Sequence, residues 1–222
     1  MVNITNVKVY DLFESMIASG YAMQTEFNPA TLGKEAKRLE VEYSYGNEER
    51  IIKASQHVRR MVRLVQASKK SDVKCHDNAL TGIRVSFDIV YPNYLSPELQ
   101  RYHWVDIVTS ASKMHRLVSM DLDKCCNKYV TPEMKKYLSD YISEYNAVKD
   151  PDEKYKAFMK VISNCPMGLE LFMRVSTNYK QLQTIYMQRK DHKLKEDWGE
   201  FCKFVEGLPF ARYLILGEDV PE

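Results

Sequence analysis

The sequence has no apolar run long enough to span a bilayer and no basic-then-apolar leader. A membrane-spanning or exported chain is therefore not expected. It has little net charge, +2 at pH 7, which argues against a dedicated nucleic-acid binder. Its five cysteines (Cys75, Cys125, Cys126, Cys165 and Cys202) form no CxxC pair and no Cys/His array of zinc spacing. No metal site is expected from them, and an odd, scattered set points to reduced thiols in a cytoplasm. Linkers, repeats and low-complexity stretches are absent, so residues 1–222 read as a single domain. Nothing resembles a Cys/His or Ser/His/Asp set for nucleophilic catalysis.

What is present is ordinary for a globular protein, with 45% hydrophobic and 28% charged residues. Asn3 to Tyr10 alternates like a strand, and Gly82 to Val90 does so strictly, with Ile83, Val85, Phe87 and Ile89 on one face. Helical periodicity runs over Asp11 to Met23, Lys34 to Tyr45 and Glu48 to Ala67. The last has a stripe of Ile51, Ile52, Ser55, Val58, Val62 and Val65. Arg59, Arg60 and Arg63 lie off that stripe; they read as a solvated basic face, with a phosphate contact as the other reading. Ser68 to Asp77 is a polar loop, and Ser96-Pro97-Glu98 opens a helix running toward Val108. Helices are expected from Thr131 to Ala147, after Asp150 with a capping box, from Cys165-Pro166 onward, and from Leu194 to Glu206, which Gly207 closes. Ala211 to Leu216 reads as a terminal strand. The fold class is α+β, a single mainly helical domain with a small antiparallel sheet.

The chemistry concentrates in Thr177 to Trp198, TNYKQLQTIYMQRKDHKLKEDW. Asn178, Leu182, Ile185 and Arg189 fall at i, i+4, i+7 and i+11, so on one helix they share a face. That face begins with an amide and ends with a guanidinium, whose fork suits phosphate or carboxylate. Lys180, Gln181, Gln188, Lys190, His192 and Lys193 add polar groups. The plainer alternative is a surface helix whose Arg lies over apolar neighbours. A second stretch, Thr109 to Arg116 (TSASKMHR), presents Ser110 and Ser112 hydroxyls beside Lys113 and Arg116. Hydroxyls of this kind also simply cap helices. Among the histidines, His103 and His115, both in this central segment, are the ones expected to touch a ligand; His57 reads as core or surface, and Trp104 and Trp198 read as core.

These stretches resemble the flavin-dependent thymidylate synthases. That family has a Leu-Pro, an Asn twelve residues after the Pro and an Arg eleven beyond the Asn; Cys165-Pro166, Asn178 and Arg189 reproduce both intervals. It also has a flavin-gripping RHR motif, which Arg101-Tyr102-His103 resembles with Tyr and His standing where His and Arg are expected. Arg101 to Arg116 and Thr177 to Trp198 are most similar to a divergent branch found in phages and Firmicutes.

The resemblance implies FAD as cofactor, with NADPH and methylenetetrahydrofolate as co-substrates, acting on a dUMP-like pyrimidine nucleotide. Arg101, Tyr102, His103, Asn178, Lys180 and Thr184 would hold the flavin, Thr184 replacing an amide. Arg189, Ser110, Ser112, Lys113, Arg116 and His192 would hold the nucleotide, with Arg189 and Ser112 serving the chemistry. It further implies a homotetramer of cytoplasmic subunits. The expected activity is reductive methylation, or a related modification, of the pyrimidine base. Two other readings stand beside it: a non-catalytic protein that binds or sequesters nucleotides on the same fold, and a helical partner-binding protein.

Overall fold

A computed structural model describes residues 1–26, 28–70 and 76–220. In chain order its elements are β1 (Asn3–Tyr10), α1 (Leu12–Ala18), α2 (Pro29–Ser44), α3 (Glu48–Ala54), α4 (Gln56–Lys70) and β2 (Arg84–Pro92). There follow α5 (Ser96–Leu99), β3 (Asp106–Ser110), α6 (Lys113–Arg116), α7 (Leu122–Cys125), α8 (Pro132–Ala147) and α9 (Pro151–Ser163). The chain continues through β4 (Glu170–Asn178), α10 (Tyr179–Arg189), α11 (Lys195–Glu206) and α12 (Ala211–Leu214). The four strands make one antiparallel sheet in the order β1-β2-β4-β3. Two compact units divide the chain: Met1–Thr5 with Phe87–Val175, and Asn6–Ser86 with Ser176–Glu222.

In the unit that holds α1 to α4 and α10 to α12, the expected apolar stripe is buried. Ile51, Ile52, Val58, Val62 and Val65 are all within 2% of full burial, and Ser55 is 3% exposed. One helix over Glu48 to Ala67 was expected; the structure has two. Ser55 takes an extended backbone (φ −101°, ψ 118°), and its hydroxyl accepts from the Val58 amide at 3.4 Å. A serine that caps the second helix ends the first. Part of the polar loop expected over Ser68 to Asp77 is helix, α4 reaching Lys70, and its residues 71–75 lie outside the described residues. Ala211 to Leu216 is also corrected, from strand to short helix. Tyr213, Leu214 and Ile215 are buried on every side, and a short run buried all round has no period that separates helix from strand.

The other unit carries β3, α5 to α9 and most of β4. Thr131 caps α8, and Asp150 caps α9 by accepting from Asp152 and Glu153 amides at 3.1 and 3.0 Å. The helix expected from Ser96 to Val108 stops at Leu99, and Asp106 to Ser110 is an exposed strand at the end of the strand order. Trp104, expected in the core, is 64% exposed.

The largest correction concerns the helix expected from Cys165-Pro166. Glu170 to Asn178 is a strand in which Leu171, Met173 and Val175 are buried while Phe172 and Arg174 are not. That is a period of two, as a strand with one buried face requires. The helix starts only at Tyr179, so Asn178 is its cap rather than a member of its face.

Candidate functional site

The end of β4 fixes the first candidate side chain. Asn178 is 4% exposed with an extended backbone, and its Oδ1 accepts from the Gln181 amide at 2.9 Å. An Asn in this place satisfies one of the orphan N–H groups at the start of α10. Tyr179 follows, fully buried, donating through its phenol to the Pro209 carbonyl at 2.7 Å; burial pushes its pKa well up.

Lys180 does not reach outward. Its ammonium donates to Asp77 Oδ2 at 2.6 Å and to Gln183 Oε1 at 3.2 Å, and Asp77 is 2% exposed. Asp77 Oδ1 and Gln183 Nε2 are buried beside that pair without a hydrogen-bond partner. Thr184 turns its hydroxyl back to the Lys180 carbonyl at 3.2 Å. Three of the flavin-site residues expected from the resemblance therefore spend polar atoms within their own unit.

The far end of α10 is different. Leu182 and Ile185 are fully buried, as the shared face requires, and Arg189 continues that face one turn on. The Arg189 guanidinium lies over the Trp198 ring, its carbon 4.5 Å from the ring centroid. Trp198 is fully buried on α11, where its neighbour Phe201 packs edge-on. His192 meets the same indole edge-on at 6.2 Å between centroids. Its Nδ1 accepts from the Leu194 amide at 3.2 Å, an arrangement that puts the neutral ring's proton on Nε2. A guanidinium held over an indole is a restrained cation, and its fork is of the kind that takes a bidentate anion.

In the other unit, Arg101 and His103 are exposed and flank Tyr102, which is buried at 9% exposure. Ser110 closes β3, and the Ala111 amide donates to the Phe172 carbonyl at 2.9 Å. Ser112 is the N-cap of α6 but makes no side-chain cap bond. Lys113 donates to Asn93 Oδ1 at 2.8 Å, while Arg116 and His115 are exposed. Sequence reasoning found neither Asn93 nor Asp77, because each lies tens of residues from its partner with no local signal. It placed Trp198 in the core correctly and missed that the ring also carries Arg189.

No protein-family model matches the sequence, and no curated protein matches it. Solved structures do. The crystal structure of the flavin-dependent thymidylate synthase ThyX from Helicobacter pylori, complexed with FAD and dUMP, superposes with a TM-score of 0.58. That match covers 100% of this chain and 99% of the other at 14% identity. A second structure of Helicobacter pylori ThyX with FAD and dUMP gives a TM-score of 0.53 over 96% of each chain, again at 14% identity. The fold is flavin-dependent thymidylate synthase-like.

The side chains gathered here are donors and cations rather than a nucleophile with its base. Among the described residues, no three His, Cys, Asp or Glu gather to hold a metal. No helix among them is long and apolar enough to cross a membrane. Chemically, donors and cations of this kind can bind and orient an anion. A redox or group-transfer step on it has to come from a bound group.

Proposed function

We propose that the chain binds a pyrimidine nucleotide of the dUMP kind on Arg189, with FAD as a second ligand, and reductively methylates or otherwise modifies the base. The observation that carries the reading is the Arg189 guanidinium stacked 4.5 Å above Trp198, a preorganised cation on a fold whose solved counterparts hold FAD and dUMP. His192 Nε2–H is a further donor near the same indole, and by the resemblance Ser110, Ser112, Lys113 and Arg116 are assigned to the nucleotide as well. By the chemistry of their donors, Arg101 and His103 fit the flavin diphosphate, since both are exposed. When bound, the flavin would pass hydride from NADPH toward the base, the one-carbon unit coming from methylenetetrahydrofolate. The protein's part is to fix the nucleotide, polarise its carbonyls with cationic donors and exclude water.

One observation favours a second reading, a nucleotide-binding or sequestering protein without flavin chemistry. Lys180, Asn178 and Thr184 are engaged internally and do not fit a flavin as they stand. The visible spectrum with added FAD, followed by a dUMP titration, separates the two. Flavin bands that shift with dUMP, and lose the shift in Arg189→Ala, support the enzyme. A colourless protein that still binds dUMP supports sequestration.

We assign a homotetramer of single-domain subunits in the cytoplasm. Val108 and Ile107 on β3 are 63% and 43% exposed, beside Trp104 at 64% and Phe172 at 53% in the same unit. Such an apolar edge asks for cover. Cys125, Cys126, Cys165 and Cys202 are all free thiols, as a reducing compartment allows. Light scattering on the eluting protein reads the subunit number directly.

A further inference from the structure

We infer that the chain carries a second anion site, shaped for a phosphate group, between α4 and the segment Leu216–Val220. A cavity of about 520 Å³ opens there, within the size range of small-molecule sites. Its apolar wall is Ile52 and Val62, both 1% exposed. Its polar wall is Arg59, Arg63 and Gln66, which fall at i, i+4 and i+7 and so line one face of α4.

Two features make this wall costly unless it holds an anion. Like charges one turn apart on a helix repel each other. Cations in the first turn also oppose the helix dipole, and α4 has no acid there to offset Arg59 and Arg60. Arg59 is nonetheless fixed in place. Its Nε donates to the Ile52 carbonyl at 3.3 Å and its Nη2 to the Lys53 carbonyl, the last carbonyls of α3. That leaves the Nη1 edge of its fork for a ligand. Among the described residues no carboxylate pairs with Arg63. A planar carboxylate presents two oxygens on one edge, whereas a tetrahedral phosphate presents oxygens in several directions and meets two forks at once more readily. Two adjacent forks over an apolar floor therefore fit a phosphate monoester with a small apolar body.

The opposite side is built as well. Gln66 Nε2 donates to the Glu218 carbonyl at 3.3 Å, Lys69 donates to the Leu216 carbonyl, and Arg212 pairs with Glu218 at 2.8 Å. Gly217 permits the turn between them, with φ +64° and a position where a Cβ would meet Lys69 Cε at 2.4 Å. This places Asp219 on the cavity. Its carboxylate and an incoming phosphate would compete for the same guanidinium groups, so the site answers to both.

The test uses protein labelled with ¹⁵N-arginine, titrated with inorganic phosphate against sodium chloride of equal ionic strength. Saturable shifts of the Arg59 and Arg63 Nε–H signals are expected. Arg63→Gln should weaken the binding by roughly tenfold, the loss of one charged fork, and Asp219→Asn should tighten it severalfold. Arg189→Ala should leave these shifts unchanged, which separates this site from the proposed nucleotide site. Arg63 is exposed, so its replacement leaves the fold intact, and Arg63→Lys serves as the second variant, weaker than wild type because it lacks the fork. Shifts that follow ionic strength alone, or that persist unchanged in Arg63→Gln, overturn the proposal.

Discussion

Arg189 on α10 and Trp198 on α11 bring a cation over a fully buried ring, the guanidinium carbon 4.5 Å from its centroid. Contact with the ring restrains the guanidinium before any ligand arrives, so less freedom is lost on binding. Arg189→Lys keeps the charge but loses both fork and stack. We expect dUMP affinity to fall by roughly tenfold or more in Arg189→Lys, since one charge-assisted bond is worth about 1.5–3 kcal/mol. Binding should be undetectable in Arg189→Ala. Calorimetric titration measures this, and a lysine variant that binds like wild type would remove Arg189 from the site.

Asn178 offers a sharper division between cap and ligand residue. Its Oδ1 is on the Gln181 amide, so Asn178→Ala should cost about 0.5–2 kcal/mol of stability. Asn178→Asp keeps the acceptor, and the helix N-terminus offsets part of the cost of burying its charge, so it should lose less than the alanine variant. Urea denaturation of the two variants reads the difference. Equal losses in both would mean that the amide N–H₂, rather than the cap oxygen, holds this position.

Much of this arrangement was legible in the sequence, for reasons that also explain where it was not. The strict alternation from Ile83 to Ile89 marked β2 because one face is buried and the other is not. The caps at Thr131 and Asp150 are local chemistry and appeared as expected. The interval from Asn178 to Arg189 survived because it counts residues, while the reading of both as one helical face failed. Glu170 to Asn178 has a strand's period of two, but the Cys165-Pro166 start suggested a helix across it. Leu182, Ile185 and Arg189 keep their common face. The Asp77 partner of Lys180 is 103 residues away, and only the folded chain brings the two together.

That pair yields its own prediction. Asp77 is nearly fully buried while the Lys180 side chain is 30% exposed, so removing the carboxylate strands a cation that water partly reaches. Asp77→Ala should destabilise by about 1–3 kcal/mol, below the cost of breaking a fully buried pair. Asp77→Asn retains an acceptor for the ammonium and should lose less. If the alanine variant instead gains flavin binding without losing stability, the ion pair is a latch over a ligand site rather than a structural tie.

Cys202 and Tyr186 supply the pH dependence. Burial first, then the carboxylates of Glu206 and Asp191, push the Cys202 thiol up to about 11 from an ordinary 9. Partial burial first, then its hydrogen bond to Glu206 Oε1 at 2.8 Å and that carboxylate's charge, push Tyr186 up to about 12 from 10. Both groups hold their protons more tightly folded than unfolded, so the folded state binds more protons above pH 9. Stability therefore falls as pH rises. The thiol's contribution is complete below about pH 9 and lost as pH climbs toward 11; that of the phenol is complete below about 10 and lost toward 12. Glu206→Gln removes a shared cause and should move that decline to higher stability across pH 9 to 11. Alkylation by iodoacetamide, mapped by peptide mass, gives the second reading. At pH 8 Cys202 should react roughly tenfold or more slowly in the native protein than in urea, because the thiolate is scarce and the side chain is 6% exposed. Native labelling as fast as that in urea would show that the α10–α11 pair does not enclose it.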